Sequence, residues 1–270
     1  MIIGGSNRGG SDREAPVAGP PTGRLRGRTV VITRPVGNGA SLVRKVRAQG
    51  GQPLLLPGLA LRGVADADTA AARREWQAAC EGDVLIFTSP AAVRYAVALA
   101  PLRTAARVLA VGQGTARALR RHGVGDVRAP LRQDSEGLLA LAELHGLEGR
   151  AVALVGAPGG RGMLRATLLA RGAALREVHV YRRVPARLDR RHADAVRRLP
   201  SSALVLLSSA ESWRNLASAL PPDALRRLCA ATAVVSSERL ADIAAAAGFA
   251  RIRQAASAMA DDLLAAAMRD

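Results

Sequence analysis

The chain has 270 residues, 49% of them hydrophobic but only 2% aromatic, and a formal net charge of +17 at pH 7. That is enough apolar material for a sizeable core and about two domains, built from Leu, Val and Ala rather than from rings. No apolar run reaches the roughly 18 residues of a membrane span, and the opening MIIGGSNRGGSDRE lacks the apolar centre of a secretory signal.

Residues 1–24 are Gly, Ser, Pro and Arg with little apolar pattern and read as a disordered tail, with order expected from Leu25. From there the pattern is strand, turn, helix, repeated. Thr29–Thr33 (TVVIT) is a short β-branched run, a buried strand. Ala40–Gln49 reads as a helix stopped by Gly50 and Gly51. Strands are expected at Leu54–Leu56, Val84–Phe87 and Val108–Val111. Helices are expected over Pro90–Leu99 and from about Thr115 to His122. Glu177–Val184 alternates polar and apolar residues and reads as one further strand. This alternation predicts parallel sheets with helices on both faces, an α/β fold.

The second half repeats the first. LRGRTVVITRPVGNGASLVRKVRAQGG from Leu25 aligns without a gap to LEGRAVALVGAPGGRGMLRATLLARGA from Leu147. Gly27 falls on Gly149, Arg28 on Arg150, Gly37 on Gly159 and Gly50 on Gly172. The segment from Val84 resembles that from Leu204, and the segment from Arg107 resembles that from Ala231. A gapless register followed by the same order of units argues for internal duplication.

The turns after these strands are where chemistry can sit, because ligands of open α/β sheets bind at the carboxyl ends of the strands. Thr88-Ser89-Pro90, Gly112-Gln113-Gly114-Thr115, Ser208-Ser209 and Ser236-Ser237 are such turns. Each by itself reads as a helix cap. Together they read as a row of helix starts, whose free N–H groups attract anions. Tyr181, one of only two tyrosines, is either a half-buried strand aromatic or a phenol at a cleft edge able to donate a proton.

Several chemistries do not fit. Gly156–Gly162 lacks the Gly-Lys-Ser/Thr ending of a P-loop, and Arg117 stands where a dinucleotide fingerprint wants its third glycine. There is no nucleophile-elbow motif, and no histidine is near Ser89 or Ser209 in sequence to serve as a base. Cys80 and Cys229 match no zinc or redox spacing, and the four histidines form no i, i+4 pair, so no metal is expected. This cysteine usage suits a reducing, bacterial-type cytoplasm.

Lys45 is the only lysine, so nearly all the positive charge is arginine. A GC-rich genome accounts for that bias more readily than an anionic partner does. Arginine forks suit carboxylates and phosphates. A nucleic-acid partner is not expected, since the chain lacks stacking aromatics and any helix-turn-helix signature.

The ordered set Thr33-Arg34-Pro35, IFTSPAAV (Ile86–Val93), AVGQGTARAL (Ala110–Leu119), DSEGLL (Asp134–Leu139), ARGAALREVHVYRRV (Ala170–Val184), LLSS (Leu206–Ser209) and VSSERLA (Val235–Ala241) resembles the uroporphyrinogen-III synthase family over about residues 25–269. The resemblance implies two similar flavodoxin-like α/β domains joined by a two-stranded ladder, with the cleft between them. The ladder is expected at Leu54–Leu61 and Val178–Val184. That makes residues 25–58 plus 185–270 one domain and 59–184 the other. It also implies a cofactor-independent enzyme that cyclises hydroxymethylbilane, inverts ring D and releases water; a monomer is expected.

By the same resemblance Tyr181 is the candidate general acid. Arg34, Thr88, Ser89, Gly112, Gln113, Gly114, Thr115, Ser208, Ser209 and Ser237 are candidate substrate contacts. The turn Ser236-Ser237-Glu238-Arg239 departs from the family's Gly-Pro-Thr-type turn. The competing expectation is a non-catalytic two-domain binding protein for a small polyanion.

Overall fold

The computed structural model describes residues 23–159 and 162–269. Most of the N-terminal stretch expected to be a tail lies outside the described residues. Leu25, at the start of the ordered pattern, is fully buried.

Twelve strands follow in chain order: β1 (Thr29–Ile32), β2 (Gln52–Leu55), β3 (Leu59–Gly63), β4 (Val84–Phe87), β5 (Arg107–Ala110) and β6 (Val127–Arg128), then β7 (Ala151–Gly156), β8 (Ala174–His179), β9 (Tyr181–Pro185), β10 (Leu204–Leu207), β11 (Thr232–Val235) and β12 (Arg251–Gln254). They form two five-stranded parallel sheets, ordered β12-β11-β10-β1-β2 and β6-β5-β4-β7-β8. Helices cover both faces of each sheet, so the central strands read as unbroken apolar runs. In β1, Val31 packs into one core while Val30 and Ile32 pack into the core on the opposite face. In β4, Leu85 and Phe87 divide from Val84 and Ile86 in the same way.

The two sheets superimpose in spatial order: β1 and β2 correspond to β7 and β8, and β10 to β12 correspond to β4 to β6. The duplication read from the sequence reaches the backbone. Gly50 and Gly172 end equivalent helices with φ of 75° and 78°, a left-handed conformation that glycine adopts without strain. Arg28 N–H donates to Leu25 O at 3.0 Å, and Arg150 N–H donates to Leu147 O at 2.9 Å. The chain visits the sheets differently, however. The first has the flavodoxin order, while the second begins at the unit equivalent to β10 and reaches the same layout by the other common doubly wound order.

β3 and β9 form a separate antiparallel ladder, with Leu59 opposite Pro185 and Gly63 opposite Tyr181. Its position corrects the expected one. Leu54 and Leu55 belong to β2 of the first sheet, and Pro57-Gly58 separates them from the ladder. Val178 and His179 end β8 of the second sheet, so the alternating run Glu177–Val184 is two strands meeting at Val180.

Candidate functional site

The switch point of each sheet is where neighbouring connections leave in opposite directions, and it opens a crevice at the carboxyl ends of the strands. In the second sheet it lies between β4 and β7. A cavity of about 230 Å³ sits there, lined by Thr88 and Ser89 after β4, Gly156 and Ala157 at the end of β7, and a row of side chains from β8 and β9.

Ser89 is the N-cap of the helix Pro90–Leu99, its Oγ accepting from Ala92 N at 3.1 Å. The same Oγ lies 3.2 Å from the Tyr181 phenol, either hydroxyl being able to donate. Tyr181 is 7% exposed and stacks on Tyr95, ring centroids 5.4 Å apart. Tyr95, on the helix Pro90–Leu99, is held in turn by its hydroxyl, which donates to Leu61 O of β3 at 2.8 Å. The phenol is therefore fixed by a ring on one side and points its oxygen into the cavity. Thr88 Oγ1 donates to Val155 O at 3.1 Å, tying the end of β4 to β7.

Glu177, His179 and Arg183 line the cavity beside Tyr181. They occupy alternate positions of one extended segment and so share a face. The sequence carried that signal: once Tyr181 is singled out, its i±2 neighbours come with it. His179 lines the same cavity as Ser89, whose own hydroxyl partners are Ala92 N and the Tyr181 phenol. Arg183 Nη2 donates to Pro158 O at 2.8 Å, and its Nε lies 3.1 Å from Glu211 on the helix Ala210–Ala219. One guanidinium thus joins the second sheet, the ladder and a helix of the first sheet.

A larger hollow of about 670 Å³ adjoins at Thr88 and runs between the two halves. One wall is Gly112, Gln113, Gly114 and Thr115 at the start of the helix Gln113–Arg121, and the other is Arg34 with Ser257 and Ala258. A Cβ at Gly112 would come within 2.9 Å of Gln133 Oε1, which accepts from Gln113 N at 3.0 Å, so a side chain there would push that amide aside. Thr115 is buried within the helix. Arg34 projects from a turn held by its neighbour, Thr33 Oγ1 donating to Leu206 O at 2.7 Å. Its guanidinium donates to Ala258 O, and burial pulls its pKa below the usual arginine value. Asp134 faces the same hollow. The Gly137 N–H above all, and then Arg132, hold its carboxyl below the usual carboxylate range.

The remaining candidates are not brought to these hollows. Ser208 and Ser209 follow β10, and Ser209 caps the helix Ala210–Ala219 by accepting from Ser212 N at 3.2 Å. Ser237 is the N-cap residue of the helix Glu238–Ala246 without a side-chain cap bond. All three lie at the carboxyl edge of the first sheet but line neither cavity. Among the described residues no group of three His, Cys, Asp or Glu is placed to hold a metal ion, and no helix is long and apolar enough to cross a membrane.

The family model described as HEM4, uroporphyrinogen-III synthase HemD, matches residues 40–265. The chain belongs to the uroporphyrinogen-III synthase family. It is 32% identical over 246 residues to the uroporphyrinogen-III synthase of Salmonella typhimurium, covering 88% of this chain and 99% of that one. It is 31% identical over 255 residues to the Escherichia coli uroporphyrinogen-III synthase, with the same coverage. Among solved structures it resembles a mutant uroporphyrinogen III synthase of Thermus thermophilus, with a TM-score of 0.56 at 20% identity over 88% of this chain and 96% of that one. It also resembles the uroporphyrinogen-III synthetase of Helicobacter pylori, with a TM-score of 0.57 at 14% identity over 88% and 97%. At these identities the two structures support the shared fold. Membership in the synthase family makes this chain a cyclising lyase of porphyrin biosynthesis rather than a passive binding protein.

Proposed function

We propose that this uroporphyrinogen-III synthase acts on hydroxymethylbilane in the hollows that meet at Thr88, with Tyr181 as proton donor to the departing hydroxyl. The observation that carries the assignment is the hydroxyl pair of Tyr181 and Ser89, 3.2 Å apart in the wall of the cavity at the sheet switch point. The phenol gives its proton to the leaving hydroxyl, which departs as water. The electrophilic carbon left behind is attacked by the substituted carbon of ring D, and the spiro intermediate reopens and recloses with ring D reversed. The proton lost when pyrrole ring D regains its aromaticity after reclosure restores the phenol, so the enzyme ends unchanged. Because the bilane cyclises unaided to the uninverted isomer, the protein's main work is positioning.

Arg34 and the helix start at Gln113 suit the carboxylates of such a chain. Thr88, Ser89 and residues 112–115 contact the substrate in this reading; Ser208, Ser209 and Ser237 do so if the cleft closes further. We further propose that residues 25–58 with 185–270 form one domain and 59–184 the other, and that the enzyme works as a monomer in the cytoplasm. One chain supplies both walls of the cleft, Arg34 on one and Thr88 on the other. The test is to supply purified protein with hydroxymethylbilane and separate the product isomers. The type III isomer is expected, and formation of type I alone overturns the proposal.

A further inference from the structure

We propose that a third hollow, on the far side of Arg34, is a binding site for one pyrrole ring of the bilane, gripped through its carboxylate arms. The proposal rests on the synthase reading above. The hollow measures about 610 Å³ and lies beyond the carboxyl ends of β1 and β2. Its floor is apolar, formed by Val36, Val43, Leu55 and Pro57, and its rim carries Arg34, Arg44, Arg187 and His192.

Three features mark it as a site rather than a dent. Val36 and Leu55 are 55% and 50% exposed, two large apolar side chains left open at one place beside the cleft. No carboxylate lines the hollow, and none of the ion pairs among the described residues involves Arg44 or Arg187. The floor is also preformed. Val36 N–H donates to Leu59 O at 2.9 Å, and a Cβ at Gly39 would come within 2.7 Å of Leu55 Cδ2, so Gly39 lets Leu55 lie close over the turn.

The chemistry of the occupant follows from that combination. A bare phosphate has no use for an apolar floor, and a neutral ring has no use for three guanidinium groups. A flat ring bearing short carboxylate arms uses both. Each pyrrole of hydroxymethylbilane is such a ring. Position supports the same occupant. Arg34 lines both this hollow and the central one, and Thr88 lines both the central one and the Tyr181 cavity. A chain whose reacting end lies at Tyr181 can therefore run past Arg34 and seat a distant ring here. Anchoring that ring would hold the reacting end in the pose that leads to inversion.

The test uses the full chain with Leu55→Glu, the double variant Arg44→Ala/Arg187→Ala, and Leu131→Glu as a control at a fully exposed apolar residue elsewhere. The direct probe is a monopyrrole carrying one acetate and one propionate, followed by calorimetry, with its diester as comparison. We expect saturable binding to the parent protein, weakened by about tenfold or more in both hollow variants, kept by the control and lost with the diester. With hydroxymethylbilane, the two variants should lose activity mainly through a raised KM. The proposal is overturned by absent monopyrrole binding up to about 10 mM, by equal binding of the diester, by an unchanged KM, or by a change of sedimented mass in Leu55→Glu, which would mark a self-association surface. If the parent protein makes no type III product, the synthase reading fails, and the monopyrrole titration still decides the hollow.

Discussion

Tyr181 owes its place to contacts that a phenylalanine keeps. The stack on Tyr95 and the surrounding core of Val178 and Val180 do not use the hydroxyl. Tyr181→Phe loses only the hydroxyl contact with Ser89, so it should cost about 0.5–1.5 kcal/mol of stability, while turnover falls by about 10²-fold or more, the scale of a lost general acid. Steady-state rates beside a urea titration check this, and near-parental turnover would return Tyr181 to a packing role. The two thiols make a second residue-scale case. Burial pushes Cys80 and Cys229 up to about 11, from an ordinary value of 9.0. The folded thiols stay protonated where the unfolded ones have begun to ionise. Their contribution to stability is complete below pH 9 and is lost as pH rises through 11. A Cys80→Ala/Cys229→Ala variant should accordingly lose less stability than the parent between pH 8 and pH 11, measured by denaturant midpoints at each pH.

The ladder of β3 and β9 is the element on which the site depends, since it carries Tyr181 and Arg183 between the sheets. Gly58 lies where the chain passes from β2 into this ladder. A Cβ there would come within 2.0 Å of Ser212 O, and Gly58 O accepts from Asn215 Nδ2 at 3.0 Å. Gly58→Ala must move backbone, so it should cost about 1–3 kcal/mol, an overpacking penalty, in urea unfolding. Elements were unevenly legible in the sequence. The central strands β1, β4, β7, β10 and β11 stood out because burial on both faces demands continuous apolar residues. The edge strands β6 and β12, VR and RIRQ, carry arginine and escaped notice, since an edge strand is short and charged where it meets water. The ladder was misplaced because alternation records which side of a strand is buried. It does not record the point, here Val180, at which the chain exchanges one hydrogen-bonding partner for another.

At the scale of the molecule, Arg183 connects both halves through Pro158 and Glu211. A partly exposed ion pair of this kind is worth about 0–1 kcal/mol, so Glu211→Gln should barely shift the unfolding midpoint. It should nevertheless broaden the distance distribution seen by small-angle scattering, because the link spans the cleft. An unchanged distribution would reduce the pair to a local contact. The cleft itself was legible only in part. Arg34 and Gly112 could be named from turns, but their facing each other depends on how two sheets sit, which no single segment encodes. The permuted order of the sheets carries a last consequence, for synthesis. Strands β4 to β8 leave the ribosome consecutively and can pair as they emerge, whereas β1 must wait for β10, Val30 finding Leu204 only after the middle of the chain has been made. The first strand to be translated is thus among the last to be completed on both edges. Until residues beyond 204 have been added, Val30, Val31 and Ile32 can pair only on the β2 side, and the other edge of an apolar strand stays open in the nascent chain.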